Sequence, residues 1–422
     1  MKRIRDYCIE IGDGLHGTPK YDISGDYYFI NGNNLGNKVI SVFDDTKRIS
    51  TLEAQKIKVP LGNNTILVSI NGTLGQLAFY NGEKVALGKS ACYLNLKDEK
   101  YKEYIYYYMC LPCFRKYLDS VATGSTIKNI APSQIGDFPF YINKNYIKIG
   151  TLLSTIDSKI ELNNKIISEL ESMAKTLYDY WFLQFDFPNE NGKPYKSSGG
   201  KMVYNEELKR EIPEGWEVVA LEQCINTIID RRGVTPKKLG GDWVENGIKA
   251  LSAKIVKNGH LINLDEANQV DEDMYNKWMP SDLQDGDILM TSEAPMGEFY
   301  FILDDEKYCL SQRLFAIRCN DKVVPIYLYN EMSRGNAYSQ IIGSKSGSTV
   351  FGIRQDELRR ILVLVPEKKI QELFEKRVLS SYKKIKKCFY ENRDLVSLRD
   401  FLLPMLMNGQ VTFKDAAEAH NN

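Results

Sequence analysis

Three short stretches of this 422-residue chain have residue types that could do chemistry, and the spacing argues against each. Cys110-Leu111-Pro112-Cys113 has the form of a redox pair or of half a zinc site. It falls within 104–117, which reads as an apolar helix interrupted by Pro112. No second pair stands at zinc spacing, and His16, His260 and His420 are remote in sequence. Structural thiols are the simpler reading of the eight cysteines, with redox chemistry at Cys110 and Cys113 left open as an alternative. Gly88-Lys89-Ser90 matches the end of a phosphate-binding loop, but the first glycine of that pattern falls on Glu83, an anion where phosphate should approach. Asp304-Asp305-Glu306-Lys307 has the composition of a metal nuclease site, yet consecutive residues on a hairpin point to opposite faces. Neither a glycine-rich methyl-donor loop nor an Asn/Asp-Pro-Pro-aromatic motif is present. No catalytic or metal-ligating residue is assigned, and the chain is expected to bind no cofactor itself.

The side chains that remain of interest are loop residues of the types that can contact nucleic acid. Arg and Lys suit guanine, Asn and Gln suit adenine, and Lys, Arg, Ser and Thr also hold phosphates. In the first half of the chain the candidates are His16, Thr18, Lys20, Asn71, Lys89, Ser125, Thr126 and Lys128. In the second half they are Arg231, Arg232, Lys237, Lys238, Ser292, Gln312, Arg313, Lys345, Ser346 and Ser348. An exposed loop residue needs no ligand to explain it, so weight falls on positions that recur or cluster. Arg231-Arg232 and Lys237-Lys238 bracket a Gly-Val-Thr-Pro turn and form a local basic patch. The balance of 55 basic and 55 acidic residues counts mildly against a nucleic-acid binder. It does not exclude one, because phosphate attraction depends on where charge sits.

The elements that must position these residues are written twice. Cys8 and the run Gly17-Thr18-Pro19-Lys20 return as Cys224 and Gly233-Val234-Thr235-Pro236-Lys237. The run 65–69 returns as 287–291, Gly75 as Gly297, and Phe79 as Phe301. Gly124-Ser125-Thr126 returns as Gly347-Ser348-Thr349. Three blocks in one order, at nearly constant offset, describe two whole domains rather than solenoid units. Within each copy, β-rich runs (65–70, 77–80, 85–96; then 287–291, 299–303, 310–318) precede a helix (102–121; 326–342) and a last strand.

Each copy ends on a helix with a period near 3.5. Ile149, Leu153, Ile156, Ile160, Asn163, Ile167, Leu170, Ala174, Leu177 and Trp181 alternate spacings of four and three, the seam of a helix that packs along another. Asn163 interrupts the seam as a register-setting polar residue. A looser stripe, Phe374, Val378, Ser381, Ile385, Cys388, Asn392, Leu395 and Leu402, closes the second copy at Leu403-Pro404. The predicted fold is α+β: two similar mixed α/β domains separated by two long antiparallel coiled-coil helices. The expected boundaries are 1–145 for the first domain, 146–186 for its helix, 187–212 for a polar linker, 213–366 for the second domain, 367–410 for its helix and 411–422 for a flexible tail. About 36 residues of helix at roughly 1.5 Å each would span about 54 Å, more than the ~34 Å between successive major-groove faces on one side of a duplex.

With Ile212-Pro213-Glu214-Gly215-Trp216 opening the second half, 156–163 running on to Trp181-Phe182, and Leu402-Leu403-Pro404-Met405-Leu406 near the end, the chain resembles the specificity subunit of type I restriction-modification enzymes. The resemblance covers about residues 1 to 410. It implies that each domain reads one half of a split double-stranded DNA target. It also implies that the helices dock two methyltransferase subunits, with a restriction subunit in the larger assembly. S-adenosylmethionine, ATP and Mg would belong to those partners. The competing expectation is a protein-interaction scaffold without sequence-specific DNA binding. No apolar run approaches a membrane span and no signal-peptide core follows Met1, so a cytoplasmic location is expected.

Overall fold

The computed structural model describes residues 2–124, 128–303, 307–344 and 352–413. The chain divides into two compact units, Met1–Leu162 with Glu391–Asn422, and Asn163–Tyr390. Each long helix therefore contributes one stretch to each unit.

The first unit is organised by a four-stranded antiparallel sheet. Its strands are β1 (Cys8–Asp13), β3 (Thr65–Ser69), β4 (Leu77–Phe79) and β6 (Ala91–Leu96), in the order β1-β6-β3-β4. All residues of β3 are buried, because both of its faces are covered. Ile66 and Val68 meet α1 (Lys102–Cys110) and α2 (Pro112–Val121). Leu67 points the other way, into a core shared with a small second sheet. There β2 (Tyr27–Ile30) runs parallel to β5 (Val85–Leu87), pairing Tyr28 with Val85 and Ile30 with Leu87. A continuous apolar strand is what two covered faces demand. Pro112 takes the first position of α2, where its missing N–H costs nothing, and so ends α1 as its place in the sequence predicts.

The second unit repeats this plan. Strands β7 (Ile225–Asp230), β9 (Ile288–Thr291), β10 (Phe299–Phe301) and β12 (Leu314–Cys319) form a sheet ordered β7-β12-β9-β10. Ile288 and Met290 face the helical side, while Leu289 faces the small sheet, in which β8 (Ile248–Leu251) and β11 (Tyr308–Leu310) pair in parallel. The predicted 326–342 helix breaks at Gly335 into α4 (Pro325–Arg334) and α5 (Asn336–Gly343). A side chain at Gly335 would meet the hydroxyl of Tyr178 and the carboxylate of Glu331. The small sheets, each three-stranded and mixed, are an addition that the sequence patterns did not reveal.

The long helices are α3 (Tyr146–Tyr178), continued by one wider turn over Asp179–Leu183, and α6 (Lys368–Asn408). Within the first unit Ile149 and Leu153 share a core with Leu406 and Met407, and Arg399 Nη1 reaches Asp157 Oδ1 at 2.9 Å. Within the second, Ile167 packs with Ile385 and Cys388, and Ala174 and Tyr178 share a core with Phe374 and Val378. In both stretches partner numbers fall as residue numbers rise, so the pairing is antiparallel. Of the predicted seam, Ile149, Leu153, Ile156, Asn163, Ile167, Phe374, Val378, Ile385 and Asn392 are buried; Ile160, Leu170, Leu177, Leu395 and Leu402 are half-buried. The last helix does not close at Pro404 but runs on to Asn408, because Leu406 and Met407 are buried in the first unit's core.

The stretch expected to be a linker, 187–212, is built into the second unit. Phe187 stacks on Tyr195 and on Trp216, and Met202–Asn205 pairs with Arg210–Pro213 as a hairpin. Its polar composition hid two buried anchors, Phe187 and Ile212, which share a core with Trp216 of the predicted second domain.

The copies also keep one polar crosslink by different chemistry. Thr65 donates to Asn95 at 2.6 Å across β3 and β6. At the equivalent place between β9 and β12, Asp287 accepts two bonds from Arg318, at 2.8 and 2.7 Å. Hydrogen bonding to that carboxylate raises the Arg318 guanidinium above its ordinary value. Asp287 is almost wholly buried, so Arg318→Ala would strand a charge and is expected to cost about 3 kcal/mol. Asn95→Ala should cost about 1 kcal/mol. Urea unfolding of the two variants checks the difference; equal losses would contradict the assignment.

Candidate nucleic-acid interface

In each sheet the strand pairing brings the predicted reading loops to one end. Asp13, the last residue of β1, pairs with Cys92, and Ala91 at the start of β6 pairs with Ser69 at the end of β3. The loop after β1, the turn between β5 and β6 and the turn after β3 therefore emerge together. They carry His16, Thr18 and Lys20; Lys89; and Asn71. In the second unit Asp230 pairs with Phe315 and Leu314 with Thr291. That registers the loop bearing Arg231, Arg232, Lys237 and Lys238 beside the turn bearing Gln312 and Arg313.

The segment leading out of the Gly-Ser-Thr turn is pinned to this same end in both copies. Asn129 bridges Asn71, and Ile130 N donates to Ile70 O at 2.9 Å. Gly352 bridges Glu293, and Ile353 N donates to Ser292 O at 3.0 Å. Among the turn residues themselves, Ser125, Thr126, Lys345, Ser346 and Ser348 lie outside the described residues, as does 304–306.

The basic side chains are held by short local pairs. His16 Nε2 lies 2.8 Å from Asp13 Oδ2, and Arg232 Nη2 lies 2.6 Å from Asp230 Oδ2. An aspartate ending the strand thus holds the following basic residue in both copies. Arg232 also stacks over Phe315, 4.8 Å from the ring centre. Lys128 pairs with Asp119 at 2.7 Å and Arg313 with Glu293 at 2.9 Å. Exposed pairs of this kind contribute about 0–1 kcal/mol, little enough for a phosphate to displace the carboxylate. Lys238 donates to Gly233 O at 2.6 Å, closing the Thr235-Pro236 turn. Pro236 opens a short helix that Gly240 ends at φ +83°, which leaves Lys237 exposed on its outer side. Thr18, Lys20, Lys89 and Gln312 are exposed too, and Asn71 is half-buried.

Two expected contacts are revised. Ser292 is 1% exposed and its hydroxyl has no partner among the described residues. Just past β9, its backbone ties its neighbours together, donating to Arg313 O at 2.9 Å and accepting from Ile353 N at 3.0 Å. Arg231 is half-buried and its Nε is enclosed without a partner among the described residues, so Arg232 is the outward member of that pair.

Sequence reasoning missed the hollow between these loops. In the second unit a cleft of about 580 Å³ is lined by Thr235, Trp243, Ser252, Asn268, Trp278 and Gln312 among others. It lies at the ends of β8 and β11. In the first unit Asn33 is exposed beside the corresponding turn, where Asn31 accepts from Ser90 Oγ at 2.9 Å. No spacing could have revealed the cleft, whose walls come from separate loops.

Among the described residues no group of three or more His, Cys, Asp and Glu side chains could hold a metal ion. Lys89 stands on a β-turn between β5 and β6. Cys110 and Cys113 are free, exposed thiols on either side of the break between α1 and α2.

Two like-built domains, each offering one loop-bearing sheet end and each joined to paired helices, define a class of bipartite recognition protein. A family model described as the type I restriction modification DNA specificity domain matches residues 17–172 and 213–386, and the chain belongs to that family. It is 25% identical over 441 residues to the type I restriction enzyme MjaIX specificity subunit of Methanocaldococcus jannaschii, covering 98% of this chain and 94% of that protein. It is 23% identical to the HindI specificity subunit of Haemophilus influenzae over 70% of this chain and 76% of that one. The crystal structure of the type I restriction-modification S subunit from M. genitalium shares the fold, with a TM-score of 0.64 at 17% identity over 98% of this chain and 96% of that one.

Lys237→Ala with Lys238→Ala should weaken binding to every duplex alike and flatten the dependence of log K on log salt by about 1 for each phosphate no longer neutralised. Fluorescence anisotropy across a salt series reads this; an unchanged slope removes the patch from the interface.

Proposed function

We propose that this chain is the DNA-reading subunit of a type I restriction-modification complex, with each domain contacting one half of a bipartite duplex target. The observation that carries the reading is the shared sheet end. In both copies the register gathers the same loops, and those loops hold the Lys, Arg, Asn and Gln side chains able to reach base edges and phosphates. Gln312, exposed in the turn between β11 and β12, suits adenine; Lys89, at the matching turn of the first domain, suits guanine. The two half-sites would accordingly differ.

The chain brings no reactive group to the DNA in this reading. It places the target for two methyltransferase subunits docked on the helices, with a restriction subunit completing the assembly. Those partners would take S-adenosylmethionine, ATP and Mg. No helix among the described residues is long and apolar enough to cross a membrane, and we place the complex in the cytoplasm, where its DNA is.

Methylome sequencing of cells with and without this gene tests the proposal: a two-part motif with a fixed gap should vanish with the gene. If the complex discriminates no site, the scaffold reading replaces this one. Inserting four residues after Lys165 should lengthen the helix by about 6 Å. The gap should then grow by about two base pairs at ~3.4 Å each while both half-site sequences stay as they are. Altered half-site sequences at an unchanged gap would refute the spacing role of the helices.

A further inference from the structure

Each domain carries a tight hairpin whose tip crosses from the sheet to the long helices. In the first unit Leu35 pairs with Ile40 and Gly36 with Val39, leaving Asn37 and Lys38 as the two-residue tip. In the second Val256 pairs with Leu261 and Lys257 with His260, leaving Asn258 and Gly259. The tip residues have φ of +49° and +67°, and of +50° and +77°, the mirror-image turn that suits a two-residue hairpin. Asn and Gly adopt it with little strain. Lysine does so at a cost, so the conformation at Lys38 calls for compensation.

The compensation is visible. The backbone of Lys38 closes the open edge of β4, donating to Leu77 O at 3.2 Å and accepting from Phe79 N at 2.9 Å. Its ammonium, mostly buried, lies 3.0 Å from Glu103 of α1 and 3.2 Å from Asp157 of the first long helix. It also donates to the Tyr107 hydroxyl at 2.7 Å. Asp157 in turn receives Arg399 of the second long helix. Burial pushes the Asp157 carboxyl up, but the hydrogen bonds from Tyr107 and Arg399 outweigh it and hold it below the usual carboxylate range. Asp157 therefore stays charged.

The second unit makes the equivalent attachment with other groups. His260, one residue past the tip, lies 3.1 Å from Glu171 of the first long helix. Its ring stacks flat on Phe389 of the second, with centroids 4.4 Å apart and planes 2° from parallel. Asn258 N donates to Glu298, beside the edge strand β10, at 2.7 Å. Twice, then, the same hairpin joins a sheet edge to the first long helix, reaching the second through the Asp157–Arg399 pair in one unit and directly through Phe389 in the other.

We infer that these two hairpins are clamps that set the angle at which each recognition domain is held on its helix pair, with Lys38 and His260 as the positioning residues. This rests on the DNA-reading proposal. The reading loops lie at the sheet end, and a small rotation about the helices displaces them along the duplex. A fixed gap between half-sites therefore needs a fixed angle as well as a fixed helix length.

The test uses the full complex with its methyltransferase subunits. The substrates are duplexes bearing the native half-sites with the gap changed by one base pair either way. Lys38→Met keeps the side-chain stem and removes the charge. It should raise methylation at the shifted gaps at least tenfold relative to the native gap, with the half-site bases unchanged, and Lys38→Arg should largely restore the native profile. His260→Leu should relax the gap through the other domain. Thermal unfolding and co-purification with the methyltransferase identify a Lys38→Met chain that has simply failed to fold, in which case His260→Leu decides alone. A native complex with a sharp two-part preference whose gap profile ignores the folded variants overturns the clamp and leaves the DNA-reading proposal standing. A native complex with no preference defeats the reading itself.

Discussion

A sheet covered on both faces can offer a ligand little except its ends. That constraint governs each half of this protein. The strands β3 and β9 are buried throughout because helices press on one side and a small mixed sheet on the other. The hairpin at Asn37-Lys38 closes an edge of the first sheet as well. What remains for contact is the end where the loops gather, and the candidate DNA-binding side chains follow from that geometry.

The two copies show how far chemistry can drift while geometry holds. A Thr65–Asn95 hydrogen bond and an Asp287–Arg318 ion pair occupy the same crosslink. An ammonium among two carboxylates and a histidine stacked on a phenyl ring fasten the same hairpin. Lys89 and Gln312 stand at the same turn. Interior positions tolerate such exchange only when every buried polar group keeps a partner, which makes the substitutions concerted rather than single. At the exposed loops no such restriction applies, and there the divergence is free to change which base is read.

Several parts of this organisation were legible in the amino-acid order. The duplication showed as matching blocks, and the helical seam showed as alternating spacings of four and three from Ile149 to Trp181. The break at Pro112 and most strands of the two larger sheets also follow from local pattern. The stretch 187–212 misled, because its many polar residues outweigh Phe187 and Ile212 in composition, whereas in packing those two decide by meeting Trp216. Ser292 misled for a related reason: a serine beside a turn looks like a surface residue until both faces of its sheet are seen to be covered.

By itself, then, the sequence determined the elements and their repetition, because helical period, turn residues and apolar alternation act between near neighbours along the chain. It also determined which side chains were available to read DNA. Only the tertiary structure decided which of them stand together. The pairing of Tyr27–Ile30 with Val85–Leu87, the cleft at Trp243 and Asn268, and the attachments of Lys38 and His260 join residues far apart in the chain. Such contacts leave no periodic trace, since their energy arises only when folding has excluded water from between the elements.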